Sequence, residues 1–228
     1  EVLPNPANPL AQASSLILQG IDLEFMSLRI NGTPHRHFEL TPETLTIHSL
    51  PEDGAEPFTL EVISICVPEK NTSLMGLYVS NGNFFTQCEA QGFRKICWFA
   101  DRPDVMSTYE VTLRAKQDDY PLLLSNGNPV GQGPGWAEWD DPWPKPAYLF
   151  ALVAGQLSAL EDEFVTASGR HVKLAIWTAA GDVSRCAHAM AALKASMDWD
   201  ERVYGREYDL DEFNIVAVAD FNAGAMEN

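Results

Sequence analysis

The closing residues Gly224-Ala225-Met226-Glu227-Asn228 set a carboxylate beside residues of little bulk. A carboxylate holds a cation at neutral pH, and a glycine nearby lets another peptide backbone come close. Alone, a glutamate near a chain end is ordinarily a solvated charge, so its meaning depends on partners. The histidines do not supply a metal for it. They stand at His35, His37, His48, His171 and His188; none is followed by Glu and no two are four apart, so the helical two-histidine zinc pattern is missing. His35 and His37 share a strand face and could chelate a metal, but Pro34 and Arg36 point to a surface turn instead. Cys66, Cys88, Cys97 and Cys186 form no Cys-x-x-Cys pair. Cys88 has no histidine near it in sequence and reads as a small buried hydrophobe, not a nucleophile.

The elements that must position these residues change character along the chain. Residues 16–18, 23–30, 44–47 and 58–67 are short β-rich runs bounded by Asn31-Gly32, Pro51 and Asp53-Gly54. Tyr109, Val111, Leu113 and Ala115 alternate with polar residues, which predicts a strand with one buried face. Residues 121–124 lead into Asn126-Gly127, a hairpin signal after which a returning strand is expected. Residues 148–153 form an apolar run, read as a strand buried on both sides. After about Gly155 the pattern shifts to α/β. Residues 172–177 read as a strand, Asp182 as the cap of a helix over 183–204, and residues 213–218 as a final buried strand. Val183, Ala187, Met190, Leu193 and Met197 form the helix's apolar stripe, which Lys194 leaves.

Composition limits the partners. The 228 residues are 46% hydrophobic and 21% charged, ordinary values for a globular chain and against disorder. A formal net charge of -17 disfavours phosphate backbones and anionic lipid surfaces and mildly favours cationic ligands. No apolar run approaches the ~20 residues of a membrane span. Cysteines without a disulfide pattern suit a reducing, cytoplasmic or organellar compartment. Trp136, Trp139 and Trp143 lie in a Pro-rich stretch. They could line a carbohydrate or other ligand site, but packing at a domain junction is the better account.

The closing pentapeptide resembles the exopeptidase motif of the zinc aminopeptidase family that includes aminopeptidase N, the gluzincin metallo-aminopeptidases. The upstream segment from Thr86 through Gln87, Cys88, Glu89, Ala90, Gln91, Gly92 and Phe93 to Arg94 is similar to that family's other substrate-end segment. Asp101-Arg102-Pro103-Asp104 and residues 148–155 follow in the family's order. The resemblance covers nearly the whole chain and is nearest to the bacterial and plant alanyl-aminopeptidase branch.

The resemblance implies a mainly β fold: a saddle-like β-sandwich domain over 1–156, then over 157–228 the truncated α/β start of a thermolysin-like catalytic domain. It implies removal of amino-terminal residues from peptides with a free amino terminus, with Zn2+ as cofactor of the full-length enzyme. Glutamates at the positions of Glu89 and Glu227 hold the substrate amine, beside a neutral wall at Gln87. Residues Gly224, Ala225 and Met226 could pair edge-on with the substrate as an added strand. Ala223 stands where alanyl-type enzymes commonly have Met lining the first side-chain pocket, which leaves the preferred substrate residue open. In the family the zinc motif follows the pentapeptide. The 228 residues therefore read as a piece of a longer enzyme that, alone, binds no catalytic zinc and hydrolyses nothing. Some relatives lost the zinc site and serve as scaffolds, an alternative that retention of Glu89 and Glu227 disfavours.

Overall fold

The computed structural model describes residues 1–3 and 15–227, so Asn228 of the closing pentapeptide lies outside the described residues. The chain is mainly β. Strands β1 (Ser15–Gln19), β2 (Glu24–Ile30), β3 (Thr33–Pro34), β4 (Phe38–Leu40), β5 (Thr44–His48) and β6 (Leu60–Ile65) make two antiparallel sheets, β1-β5-β4 and β3-β2-β6. Their inner faces share one core with Leu45 and Ile47 at its centre and Trp98 at its edge. Asn31-Gly32 makes the turn between β2 and β3, as the dipeptide predicts.

Strands β7 (Gly76–Ser80), β8 (Asn83–Gln87), β9 (Ser107–Arg114), β10 (Leu122–Ser125), β11 (Asn128–Gly133), β12 (Trp136–Lys145) and β13 (Leu152–Gly155) build a second pair of sheets, β10-β13-β8-β7 and β11-β12-β9. The alternation at 109–113 is realised in β9, where Tyr109 and Leu113 are buried and Glu110 and Thr112 are exposed. Trp139 is core, with its indole N–H donating to Leu123 O at 3.2 Å, whereas Trp143 is half exposed. The three tryptophans therefore do not form one surface.

The structure departs from two local expectations around Asn126. Asn126-Gly127 does not close a hairpin: β10 pairs with β13, while β11 pairs with β12 in the other sheet. The Asn126 side chain instead donates to Leu149 O and accepts from Ala151 N, at 3.0 and 2.6 Å. That clamp also explains the second correction. The apolar run at 148–153 is a 3-10 turn (Ala147–Leu149) followed by the short strand β13, because Asn126 takes up the backbone groups between them.

Strands β14 (Ser158–Val165) and β15 (His171–Thr178) are antiparallel, and helix α1 (Ala187–Tyr204) then carries the chain back to β16 (Glu212–Val216), parallel to β15. A parallel return needs such a crossover. Met190, Leu193 and Met197 of α1 pack on Val172, Leu174 and Ile176 of β15. The stripe is shorter than its sequence pattern, since Ala187 is exposed and Val183 precedes the helix. Asp182 does not cap α1. It lies in a 3-10 turn (Ala180–Arg185) and its carboxylate pairs with Arg185 at 2.8 Å. Strand β16 is only half-buried along its length, because one edge and part of one face have no neighbour among the described residues.

Candidate functional site

Gln87 ends β8 opposite Gly76 of β7, and the chain then turns sharply, with Gly92 N donating to Cys88 O at 2.8 Å. Gly76 and Gly92 face each other across this turn. A Cβ on Gly92 would lie 2.7 Å from Gly76 N and 2.8 Å from Cys88 Cα, and closer still to the Gln87 carbonyl oxygen. A Cβ on Gly76 would lie 2.8 Å from Gly92 O, on a backbone already at φ +76. Two glycines at these positions let the turn sit flush on β7.

The turn is fixed from below by charge and by aromatic packing. Asp101 accepts from Arg94 Nε at 2.8 Å and from Arg94 N at 3.2 Å, and its own N–H donates to Gln19 Oε1 at 3.0 Å. The Arg94 and Asp101 side chains are only 14% and 2% exposed, so the pair is desolvated and each charge depends on the other. Phe93 meets Phe99 and Phe150 edge-on at 4.9 and 5.0 Å between ring centroids. Cys88 lies wholly inside this cluster, and burial pushes its thiol well up, with Asp101 adding to the effect. Cys97 is pushed up to about 12 by burial first, then by Cys66 and Asp101. Thiols held protonated in this way are poor nucleophiles.

Gln87 is buried, and its Oε1 has no hydrogen-bond partner among the described residues. Glu89 is exposed on the turn, and the Glu89–Ala90 peptide bond is cis. The closing segment reaches this region from β16. Tyr78 donates its hydroxyl to Asp220 O at 2.9 Å, Ser80 donates to Asp220 Oδ2 at 2.6 Å, and Asn222 Nδ2 donates to Ser73 O at 2.7 Å. As residue number rises from 220 to 222, these contacts step along β7 from Ser80 toward its Gly76 end, the end at which Gln87 stands.

Ala223, Gly224, Ala225, Met226 and Glu227 line one groove of about 960 Å³, together with Thr86, Leu152 and Val153. Gln87 and Glu89 are not among its lining residues, so the structure brings five of the seven candidate residues together in the groove and leaves the other two outside its lining. A Cβ on Gly224 would meet no atom within 4 Å, so no protein neighbour requires glycine there. Asp141, Trp143 and Lys145 line the same groove from β12. Lys145 is paired with buried Asp141 and sits 5.9 Å above the Tyr109 ring; burial lowers its pKa. Sequence reasoning missed Tyr78, Ser80, Asp220 and Asn222. The only sequence signal was that Tyr78, in a strand, would need a partner for its hydroxyl when buried.

The described residues do not fit a zinc ion. Among the described residues no group of three His, Cys, Asp or Glu is placed to hold a metal. His35 Nε2 donates to His48 O at 2.8 Å and lies 3.1 Å from His37 O, so that nitrogen carries a proton. His37 Nδ1 is 2.8 Å from Ser49 Oγ. Among the described residues no helix is long and apolar enough to cross a membrane.

By architecture this is a pair of β-sandwiches followed by an α/β layer, with the segment at Asp220–Asn222 bonded to β7 and the residues just before it. The sequence pattern described as Peptidase M1 N-terminal domain matches residues 7–149, and the chain belongs to that family. It is 46% identical over 222 residues to Aminopeptidase N of Haemophilus influenzae, covering 95% of this chain and 25% of that protein. With Aminopeptidase N of Caulobacter vibrioides it shares 50% over 220 residues, covering 93% of this chain and 25% of that protein. The chain thus spans about a quarter of the length of these relatives. Legionella pneumophila aminopeptidase A, solved in complex with aspartic acid, superposes with TM-score 0.90 at 35% identity, covering 97% of this chain and 26% of that one. Yeast LTA4 hydrolase in complex with bestatin superposes with TM-score 0.72 at 18% identity, covering 93% and 33%, a likeness of fold.

Proposed function

We propose that the chain supplies the amine-recognition part of a zinc-dependent aminopeptidase that removes amino-terminal residues from peptides. In this reading residues 1–156 are a β-rich domain and 157–228 open a thermolysin-like catalytic domain. What supports it most is the docking of the segment that carries Glu227 onto β7, along the path toward Gln87 and the Glu89 turn.

The chemistry follows from charge. A peptide's α-amino group has an ordinary pKa of ~7.7–8.0 and is largely cationic at neutral pH. Two carboxylates facing it repel each other when the site is empty, and the ammonium relieves that repulsion. Glu89 and Glu227 hold the amine, and the open Oε1 of Gln87 offers a neutral acceptor beside them. Residues 224–226, exposed or half-buried and outside any sheet, are free to pair with the backbone of an extended substrate. Ala223 borders the first side-chain pocket. Zinc would be held by residues other than those described, and only recognition and orientation are assigned to this chain. Unpaired cysteines support a reducing compartment.

The test is Glu227→Ala in the enzyme that carries this chain, with a peptide substrate bearing a free amine. KM should rise and kcat fall together, since a misplaced amine also loses orientation of the scissile bond. Unchanged kinetics would overturn the assignment.

A further inference from the structure

Residues 223–227 carry the proposed amine contact, yet among the described residues no hydrogen bond holds them. Their placement is set just upstream. Tyr78 is wholly buried and Ser80 is 3% exposed, and the hydroxyls of both are satisfied by Asp220, which is itself exposed. Val216 and Val218, on the path from β16 to Asp220, pack against the same core cluster as the Tyr78 ring. Asn222 adds a third bond, to the carbonyl of Ser73. The polar groups of the β unit are thus arranged to receive one short stretch of the second unit.

We propose that Tyr78 and Ser80, acting on Asp220, and Ser73, acting on Asn222, form a clamp that sets where Glu227 stands relative to the Glu89 turn. Asp220 and Asn222 are positioning residues. The inference rests on the proposed role of Glu227 and adds the device that aims it. With the clamp closed, Glu227 hangs on a tether of five residues from Asn222. Without it, the nearest anchored backbone group upstream is Ala217 N, which donates to Trp177 O at 2.9 Å. The tether then doubles to ten residues. For a flexible tether the local concentration of its end falls as about the three-halves power of length, so doubling lowers it about threefold. Lost orientation adds to that.

The experiment is a double-mutant cycle in the full enzyme that carries this chain, with a free-amine peptide as substrate. Tyr78→Phe, Ser80→Ala and Asn222→Ala together open the clamp while keeping the ring that fills the core. The clamp variant is expected to lose at least about threefold in kcat/KM, and adding it to Glu227→Ala should cost little more, because the clamp acts through Glu227. A clamp variant with wild-type kcat/KM, beside a Glu227→Ala variant that is impaired, overturns the clamp alone. So does a clamp loss that multiplies in full on the Glu227→Ala background, which marks general destabilisation. An unimpaired Glu227→Ala removes the reading of the site itself.

Discussion

Replacing Gly92 by Ala tests whether the Gln87–Glu89 turn is held by backbone contact. The new Cβ would stand 2.7 Å from Gly76 N and 2.8 Å from Cys88 Cα, more than half an ångström short of ordinary contact at 3.4 Å. These neighbours, like the Gln87 carbonyl oxygen, are backbone, so no side-chain rotation relieves the clash. Either β7 or the turn must move. Overpacking of this kind costs about 1–3 kcal/mol, and the loss of glycine's freedom in the unfolded chain offsets about 0.4–1 kcal/mol of it. A net loss of about 1–2 kcal/mol lowers Tm by about 2–8 °C for a chain of this size. The effect on recognition should be larger. Displacing catalytic geometry by about 1 Å can lower kcat/KM about a hundredfold, even at temperatures where the protein remains folded. Thermal unfolding of this chain followed by circular dichroism gives the first number, and steady-state kinetics of the full enzyme that carries it, on a free-amine peptide, gives the second. Gly181→Ala is the control, since a Cβ there meets nothing within 4 Å. If Gly92→Ala keeps both Tm and kcat/KM, the turn is not fixed by this contact and the reasoning fails.

Two other outcomes follow from buried polar groups. Asp101→Ala leaves the Arg94 guanidinium, 14% exposed, without its acid, and should cost about 3–5 kcal/mol in urea unfolding; a midpoint unchanged from wild type would show the pair to be dispensable. The Tyr78 phenol is pushed up to about 12, by burial first and then by Asp220, while in the unfolded chain it ionises near its ordinary 10.0. The unfolded state therefore binds fewer protons between these values, so stability is intact below pH 10 and falls as pH rises toward 12. Tyr208, also pushed up to about 12 by burial and Asp209, works in the same window. Urea midpoints at pH 9 and pH 11 should fall less in Tyr78→Phe than in wild type, and equal declines would remove Tyr78 from the account.

Local sequence signals were read well where the structure is local. Alternation at 109–113 gave a strand with one buried face, and Met190, Leu193 and Met197 gave the inner face of α1. Asn126-Gly127 misled because a turn dipeptide specifies a change of direction and says nothing of which sheet receives the next strand. The 148–153 run misled because a distant asparagine side chain competes for its backbone groups. Asp182 looked like a cap, but Arg185 within the same turn takes its carboxylate. The candidate acids at 89 and 227 were visible by type and motif. What holds them was not: the Gly76–Gly92 contact and the hydroxyls that receive Asp220 join residues far apart in sequence, and no spacing rule connects them.

Those last contacts also bear on how the molecule is made. They span 140, 142 and 149 residues, and the length-dependent entropy of closing such a loop is about 4 kcal/mol. In synthesis from the amino terminus at ~5–20 residues per second, β7 emerges roughly 7–28 s before Asp220. Mainly β domains commonly fold in milliseconds to seconds, so the receiving strand can be paired and packed before its guest leaves the ribosome. The segment that carries Glu227 thus meets a surface that already exists. A substitution that delays pairing of β7 with β8 would remove that head start, and its effect would be greatest in freshly made protein and smaller after slow refolding.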